Sequence, residues 1–236
     1  MTTFIAEIIG TSIVIIIGNG VVANVVLPKT KGNNGGLTAI ILGWAFAVFF
    51  AVYVTSGISG GHLNPAVTIA LAVAGKFSWS LVPSYLLAQI IGASIGQFVV
   101  WLVYRDHFNE CVNSADQLAC FSTSSSIPNK LQSFLVETIA TFLFILGVFF
   151  LKPAGVEIGS LSALPVALLV AAIGFGLGGP TGFAINPARD LGPRIMHFVL
   201  PMKGKGPSNW GYALVPVAGP IIGGILAAFI YLQFLQ

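Results

Sequence analysis

Two short runs of this 236-residue chain carry the side chains best suited to handling a polar solute. Gly60-Gly61-His62-Leu63-Asn64-Pro65-Ala66 and Gly182-Phe183-Ala184-Ile185-Asn186-Pro187-Ala188-Arg189 each reach Asn-Pro-Ala, and the two asparagines lie 122 residues apart. Asn is a strong helix N-cap and Pro suits the first helical position, so each Asn-Pro starts a helix. A capping Asn accepts a backbone N–H through its oxygen and keeps its side-chain NH₂ free to donate elsewhere. A helix N-terminus adds about half a positive charge. Two such ends facing one narrow passage repel cations and accept a neutral oxygen. Arg189 brings five more donors, and a charge inside an apolar segment usually faces a cavity. The residues before each asparagine are expected to run extended, so that their carbonyls form a ladder of acceptors. His62 reads as a residue that fixes its loop rather than as a gate. This is a chemistry of weak binding and release. The sequence holds no nucleophile constellation, phosphate loop or metal-ligand cluster, so no enzyme, metal or cofactor is expected.

The elements that must position these groups follow from where charge is missing. The chain is 56% hydrophobic and only 7% charged, against roughly 25% charged in average soluble domains. The bilayer is its natural solvent. A net charge of +3 with no basic run excludes nucleic acid as an expected partner. Uncharged stretches cover residues 8–28, 32–75, 77–104, 158–188 and 206–236, and residues 131–151 carry only Glu137. A spanning helix needs roughly 20 apolar residues, which gives six spans with material left over. The first 27 residues lack a basic leader region and read as a retained span. The leftover material follows each Asn-Pro. Only about ten residues remain there, roughly 15 Å of helix, or half of a 30 Å hydrocarbon core. The expected half-helices are 65–75 and 187–198.

Other features repeat in step. Glu7 in Ala-Glu-Ile-Ile-Gly-Thr echoes Glu137 in Val-Glu-Thr-Ile-Ala-Thr, and the pair Gly92/Gly96 echoes Gly219/Gly223. The chain therefore divides into residues 1–110 and 130–236, each with three spans and one half-helix, within a single channel domain. An odd number of spans per half forces opposite orientations, an inverted repeat whose interrupted segments mark a midplane site. The fold expected is an all-α membrane protein of six transmembrane helices and two re-entrant half-helices. Intramembrane carboxylates suggest proton relays by default. Here each half has one, placed to accept N–H groups from the loop beside its Asn, and a structural role is expected for both.

These motifs resemble the aquaporin superfamily, and within it the glycerol facilitator branch of bacterial type. The match covers essentially the whole chain. Asp190 after Asn186-Pro187-Ala188-Arg189, Arg194 four residues on, and Pro216-Val217 look like that branch. Trp44, Gly174, Phe183 and Arg189 match its selectivity-filter pattern, although the loop from Val199 to Asn209 is short for it. The resemblance implies a passive channel for small uncharged solutes: chiefly glycerol and similar polyols, with water, urea, dihydroxyacetone, hydrogen peroxide and undissociated lactic acid as further candidates. Trp44 and Phe183 would form an apolar wall for the CH face of a polyol, opposite the Arg189 donors, with Gly174 leaving room for the Phe183 ring. Asp190 and Arg194, at i and i+4, would pair and hold the helix of Arg189. A water-selective channel would instead place a His and a small residue in this filter. A coupled transporter would need a paired ionisable site.

The resemblance also implies a homotetramer in the cell membrane with both termini cytoplasmic. That orientation puts Lys29, Lys31, Arg105, Lys130, Lys203 and Lys205 outside and only Lys76 and Lys152 inside, and the positive-inside rule favours the reverse. Cys111 and Cys120 share the polar loop 105–130, where a disulfide stays open if the loop is extracytoplasmic.

Overall fold

The structure is a computed structural model and describes residues 1–151 and 159–234. Lys152 lies outside the described residues. Every regular element among them is helical. Helix α1 (Thr3–Val26) starts where the Thr2 hydroxyl accepts from the Ile5 N–H. Helix α2 (Gly36–Ser59) ends at Gly60, whose φ of 84° only glycine adopts freely. The short α3 (Pro65–Val73) follows, then α4 (Val82–Val103). Two short surface helices, α5 (Arg105–Glu110) and α6 (Ser114–Ala119), occupy the connecting loop. The second half runs through α7 (Lys130–Phe150), α8 (Leu164–Leu177), α9 (Pro187–Val199) and α10 (Leu214–Gln233).

Helices α1, α2, α4, α7 and α10 are long and apolar enough to cross a membrane. The sixth span, α8, has only 14 residues, with a 3₁₀ turn at Gly159–Ala163 in front of it. The half-helices end within two residues of expectation, at Val73 and Val199. The chain thus has the aquaporin-like fold of six spans and two re-entrant half-helices.

The repeat shows in the packing. Helix α1 lies against α2 and α4, and α7 lies against α8 and α10. At the α1–α4 contact a Cβ on Gly92 would sit 2.4 Å from the Ile8 carbonyl oxygen, and one on Gly96 would sit 2.6 Å from that of Ser12. At the α7–α10 contact a Cβ on Gly223 would sit 2.3 Å from the Thr138 carbonyl oxygen. Small residues let helix backbones approach this closely in a membrane, where apolar attraction between helices is weak. The halves join through α2 with α8, α4 with α9 and α3 with α10. Each half-helix therefore packs against a span of the opposite half and one of its own: α3 against α10 and α4, and α9 against α4 and α10.

Candidate functional site

The two Asn-Pro-Ala segments meet head to head. Asn64 Oδ1 accepts from the Ala66 N–H at 2.9 Å, and Asn186 Oδ1 accepts from the Ala188 and Arg189 N–H groups. Each oxygen caps its own half-helix, and each NH₂ turns outward. Asn64 Nδ2 donates to the Ile185 carbonyl and Asn186 Nδ2 to the Leu63 carbonyl, both at 2.9 Å. One N–H of each amide thus ties the two loops together. Only the second remains for the passage, half the donor supply that two free amides would give.

The loops before the asparagines are not simply extended. Gly60, Gly61 and Leu63 have φ of 84°, 63° and 53°, and the matching Gly182, Phe183 and Ile185 have 82°, 38° and 43°. Non-glycine residues rarely adopt positive φ. The reason lies in the buried carboxylates. Glu7 accepts from the His62 N–H (3.1 Å) and the Leu63 N–H (2.8 Å). Glu137 accepts from the Ala184 and Ile185 N–H groups, both at 2.9 Å. Consecutive N–H groups cannot point to one side of an extended strand. Left-handed residues turn them together into a nest around an anion. Glu7 also accepts from Ser59 and Gln89. His62 is fixed through Nδ1 to the Thr68 hydroxyl at 3.1 Å, and packs against the Phe77 and Tyr85 rings.

A cavity of about 150 Å³ runs along these loops. Its walls include both Gly60 and Trp44, which the rise of α2 sets about 24 Å apart, and it passes Asn64 and Asn186. A second cavity, of about 240 Å³, opens beside Ser122, Thr123 and Gly182. The residues lining both cavities are Trp44, Phe183 and Arg189. That trio is the neck between them. The Arg189 guanidinium carbon lies 4.2 Å from the centre of the Trp44 ring, a cation–π contact. Arg189 Nη1 donates to Asn19 Oδ1 (3.3 Å) and the Phe121 carbonyl (3.5 Å). Gly174 lines neither cavity. It stands behind the neck, where a Cβ would sit 3.2 Å from Phe183 Cζ.

Asp190 and Arg194 form a fully buried ion pair with Nε to Oδ1 at 2.8 Å. Asp190 Oδ2 also accepts from the Thr123 N–H and hydroxyl. Arg194 donates to the carbonyls of Thr123, Ser208 and Asn209. A buried pair is tolerated only when its remaining hydrogen-bonding capacity is met in this way. The pair staples two loops onto α9 beside the neck.

Several contributors escaped the sequence reading. Gly18 of α1 is one: a Cβ there would lie 2.3 Å from the Trp44 ring. Thr68, Gln89, Asn19 and Phe121 are others. The uncharged polar residues could have been found as polar groups inside apolar spans, which need partners. Cys111 and Cys120 are free thiols, both buried. Burial pushes both thiols above their ordinary pKa, Cys120 well above it.

Comparison with known proteins agrees with this geometry. Residues 1–231 match the family described as Major intrinsic protein. The chain is 48% identical over 231 residues to a probable glycerol uptake facilitator protein of Thermotoga maritima, covering 98% of both. It is also 48% identical over 231 residues to the glycerol uptake facilitator protein of Bacillus subtilis, covering 98% of this chain and 84% of that one. The X-ray structure of the aquaglyceroporin from Plasmodium falciparum superposes with a TM-score of 0.86 at 32% identity, over 98% of this chain and 95% of that one. Similarity this extensive in both sequence and fold settles the lineage, and the chain belongs to the major intrinsic protein family, close to relatives named as glycerol uptake facilitators.

Proposed function

We propose that this chain is a passive channel for small uncharged solutes, chiefly glycerol and similar polyols, and that water passes with them. The neck carries the reading. Trp44 and Phe183 give an apolar wall, and Arg189, its guanidinium against the Trp44 ring, gives donors beside it. A polyol carries its hydroxyls along one edge and its CH groups along the other, so it satisfies both walls at once. Water can use only the donors. On this reading Trp44, Phe183 and Arg189 are the selectivity filter, with Gly174 as the space behind Phe183. The carbonyls of the two loops and the remaining N–H groups of Asn64 and Asn186 exchange hydrogen bonds with the moving solute. Glu7, Glu137, Asp190 and Arg194 hold those groups in place. The channel works as a homotetramer in a bacterial cell membrane, with both termini in the cytoplasm.

Anions are excluded although the filter is cationic. An anion would shed its hydration into a neck with one cation and an apolar wall, and Arg189 would hold it too tightly for conduction, which needs weak binding. Lactic acid therefore passes only undissociated. With a carboxyl pKa of about 4, the neutral fraction falls about tenfold per pH unit above that value. The test is a proteoliposome panel of glycerol, water, urea and lactate. Glycerol flux should be level between pH 5 and pH 6, while lactate flux at fixed total concentration falls about tenfold. A flat or electrogenic lactate flux would show that the anion permeates. Absence of glycerol flux would overturn the main reading.

A further inference from the structure

An amide oxygen, not a carboxylate, meets the Arg189 guanidinium behind the neck. The neighbouring carboxylate, Asp190, is committed to Arg194 and Thr123. Asn19 of α1 faces Arg189 instead, and Asn19 and Gln97 of α4 are both fully buried. Asn19 Nδ2 donates to Gln97 Oε1 (2.5 Å) and to the Phe121 carbonyl (3.0 Å). Gln97 Nε2 donates to the Cys120 carbonyl (3.3 Å).

The direction of each amide follows from what it meets. A backbone carbonyl can only accept. The Cys120 carbonyl therefore takes the NH₂ end of Gln97, which turns Gln97 Oε1 toward Asn19. That oxygen and the Phe121 carbonyl both take the NH₂ end of Asn19. The Asn19 oxygen is then the only end left to face the guanidinium. Reversing either amide would set donor against donor or acceptor against acceptor in a buried site.

We propose that Asn19 and Gln97 form a polarised amide relay, oriented by the carbonyls of Cys120 and Phe121, that positions Arg189 in the neck without neutralising its charge and so sets the discrimination between polyols and water. Both are positioning residues, since neither lines the cavities on either side of the neck. The relay occupies one guanidinium nitrogen, Nη1. Nε and Nη2 make no hydrogen bond among the described residues and are left to the solute. A polyol needs two donors at fixed places beside the apolar wall, whereas water needs one. Loosening Arg189 therefore penalises glycerol more than water. A carboxylate at position 19 would cancel the positive charge that repels hydronium.

The inference rests on the glycerol-channel reading, and the parent protein separates the two. Asn19→Val and the isosteric Gln97→Glu are compared with it in proteoliposomes for glycerol and water permeability. Asn19→Asp is compared for proton leak. The glycerol-to-water ratio should fall about tenfold in Asn19→Val, the loss expected for one hydrogen bond to a charged group, and should also fall in Gln97→Glu, which sets an acceptor against the Cys120 carbonyl. Proton leak should rise in the third. The ratio does not depend on how much protein inserts, so partial misfolding leaves it readable. An unchanged ratio in both variants, including a proportional fall of both permeabilities, overturns the positioning role. An unchanged proton leak in Asn19→Asp overturns the charge argument. A parent that conducts no glycerol sinks the channel reading itself.

Discussion

Trp44 does two jobs with one ring. Its face receives the Arg189 guanidinium, and its body walls the neck. A desolvated cation–π contact contributes about 2 kcal/mol, so the same side chain steadies the donor and excludes water from beside it. Replacing Trp44→His together with Phe183→Ala exchanges the apolar wall for a polar, wider one. The expected outcome is a lower glycerol-to-water permeability ratio in proteoliposomes, with water flux maintained or raised; if the ratio stays put, neither residue discriminates. At this scale the sequence was legible wherever a residue type alone implies a role. Asn64, Asn186, Arg189, Glu7 and Glu137 are polar groups at matched places in apolar runs, and that is where their chemistry shows. Gly18 was not legible, because its value lies in the absence of a Cβ against a ring 26 residues away. Gln97 was missed for a related reason. Nothing in one sequence says which buried amide another will meet.

Helix contacts set how accurately those side chains are held. On α10, Gly223 presses against the Thr138 carbonyl of α7, while Gly176 of α8 has nothing within 4 Å of its missing Cβ. Gly223→Ala must separate two backbones and should destabilise the protein by about 1–3 kcal/mol, the cost of overpacking. Gly176→Ala should be neutral, or stabilising by up to about 1 kcal/mol from reduced chain entropy. Unfolding in detergent compares them, and equal stability of the two variants would remove the close-contact explanation. The spans and half-helices were readable from the charge gaps and the Asn-Pro starts. Helices α5 and α6 were not, because six-residue helices in a polar loop have no apolar period long enough to detect. The left-handed residues were hidden too. Leu63 and Ile185 adopt positive φ where a distant carboxylate collects their N–H groups, and the left-handed Phe183 precedes Ala184, whose N–H goes to the same carboxylate as that of Ile185.

For the molecule as a whole, charge counting and family likeness assign opposite orientations in the bilayer, and labelling an exposed loop decides between them. The native thiols are poor reporters of it. Cys111 is 4% exposed and Cys120 is 0% exposed, and their raised pKa values suppress the reactive thiolate at neutral pH. Ile127, in the same loop, is 80% exposed. Ile127→Cys should react with a membrane-impermeant maleimide in intact cells, while the parent stays unlabelled. Labelling that appears only after permeabilisation would invert the assignment and vindicate the positive-inside count. An exposed ion pair, Lys29 with Glu110, ties the first interhelical loop to α5 on that same face, and it holds the Glu110 carboxyl below its ordinary pKa.

The two hydrogen bonds that cross between Asn64, Ile185, Asn186 and Leu63 have a consequence for biosynthesis. Their partners are separated by 121 and 123 residues. As the ribosome extends the chain, α3 enters the bilayer long before Ile185 exists. Its terminal amide and the Leu63 carbonyl must wait, hydrated or held by the insertion machinery, until the last third of the polypeptide is made. A nascent chain halted after its third span therefore carries an unfinished re-entrant loop, and the channel closes its own midplane only near the end of translation.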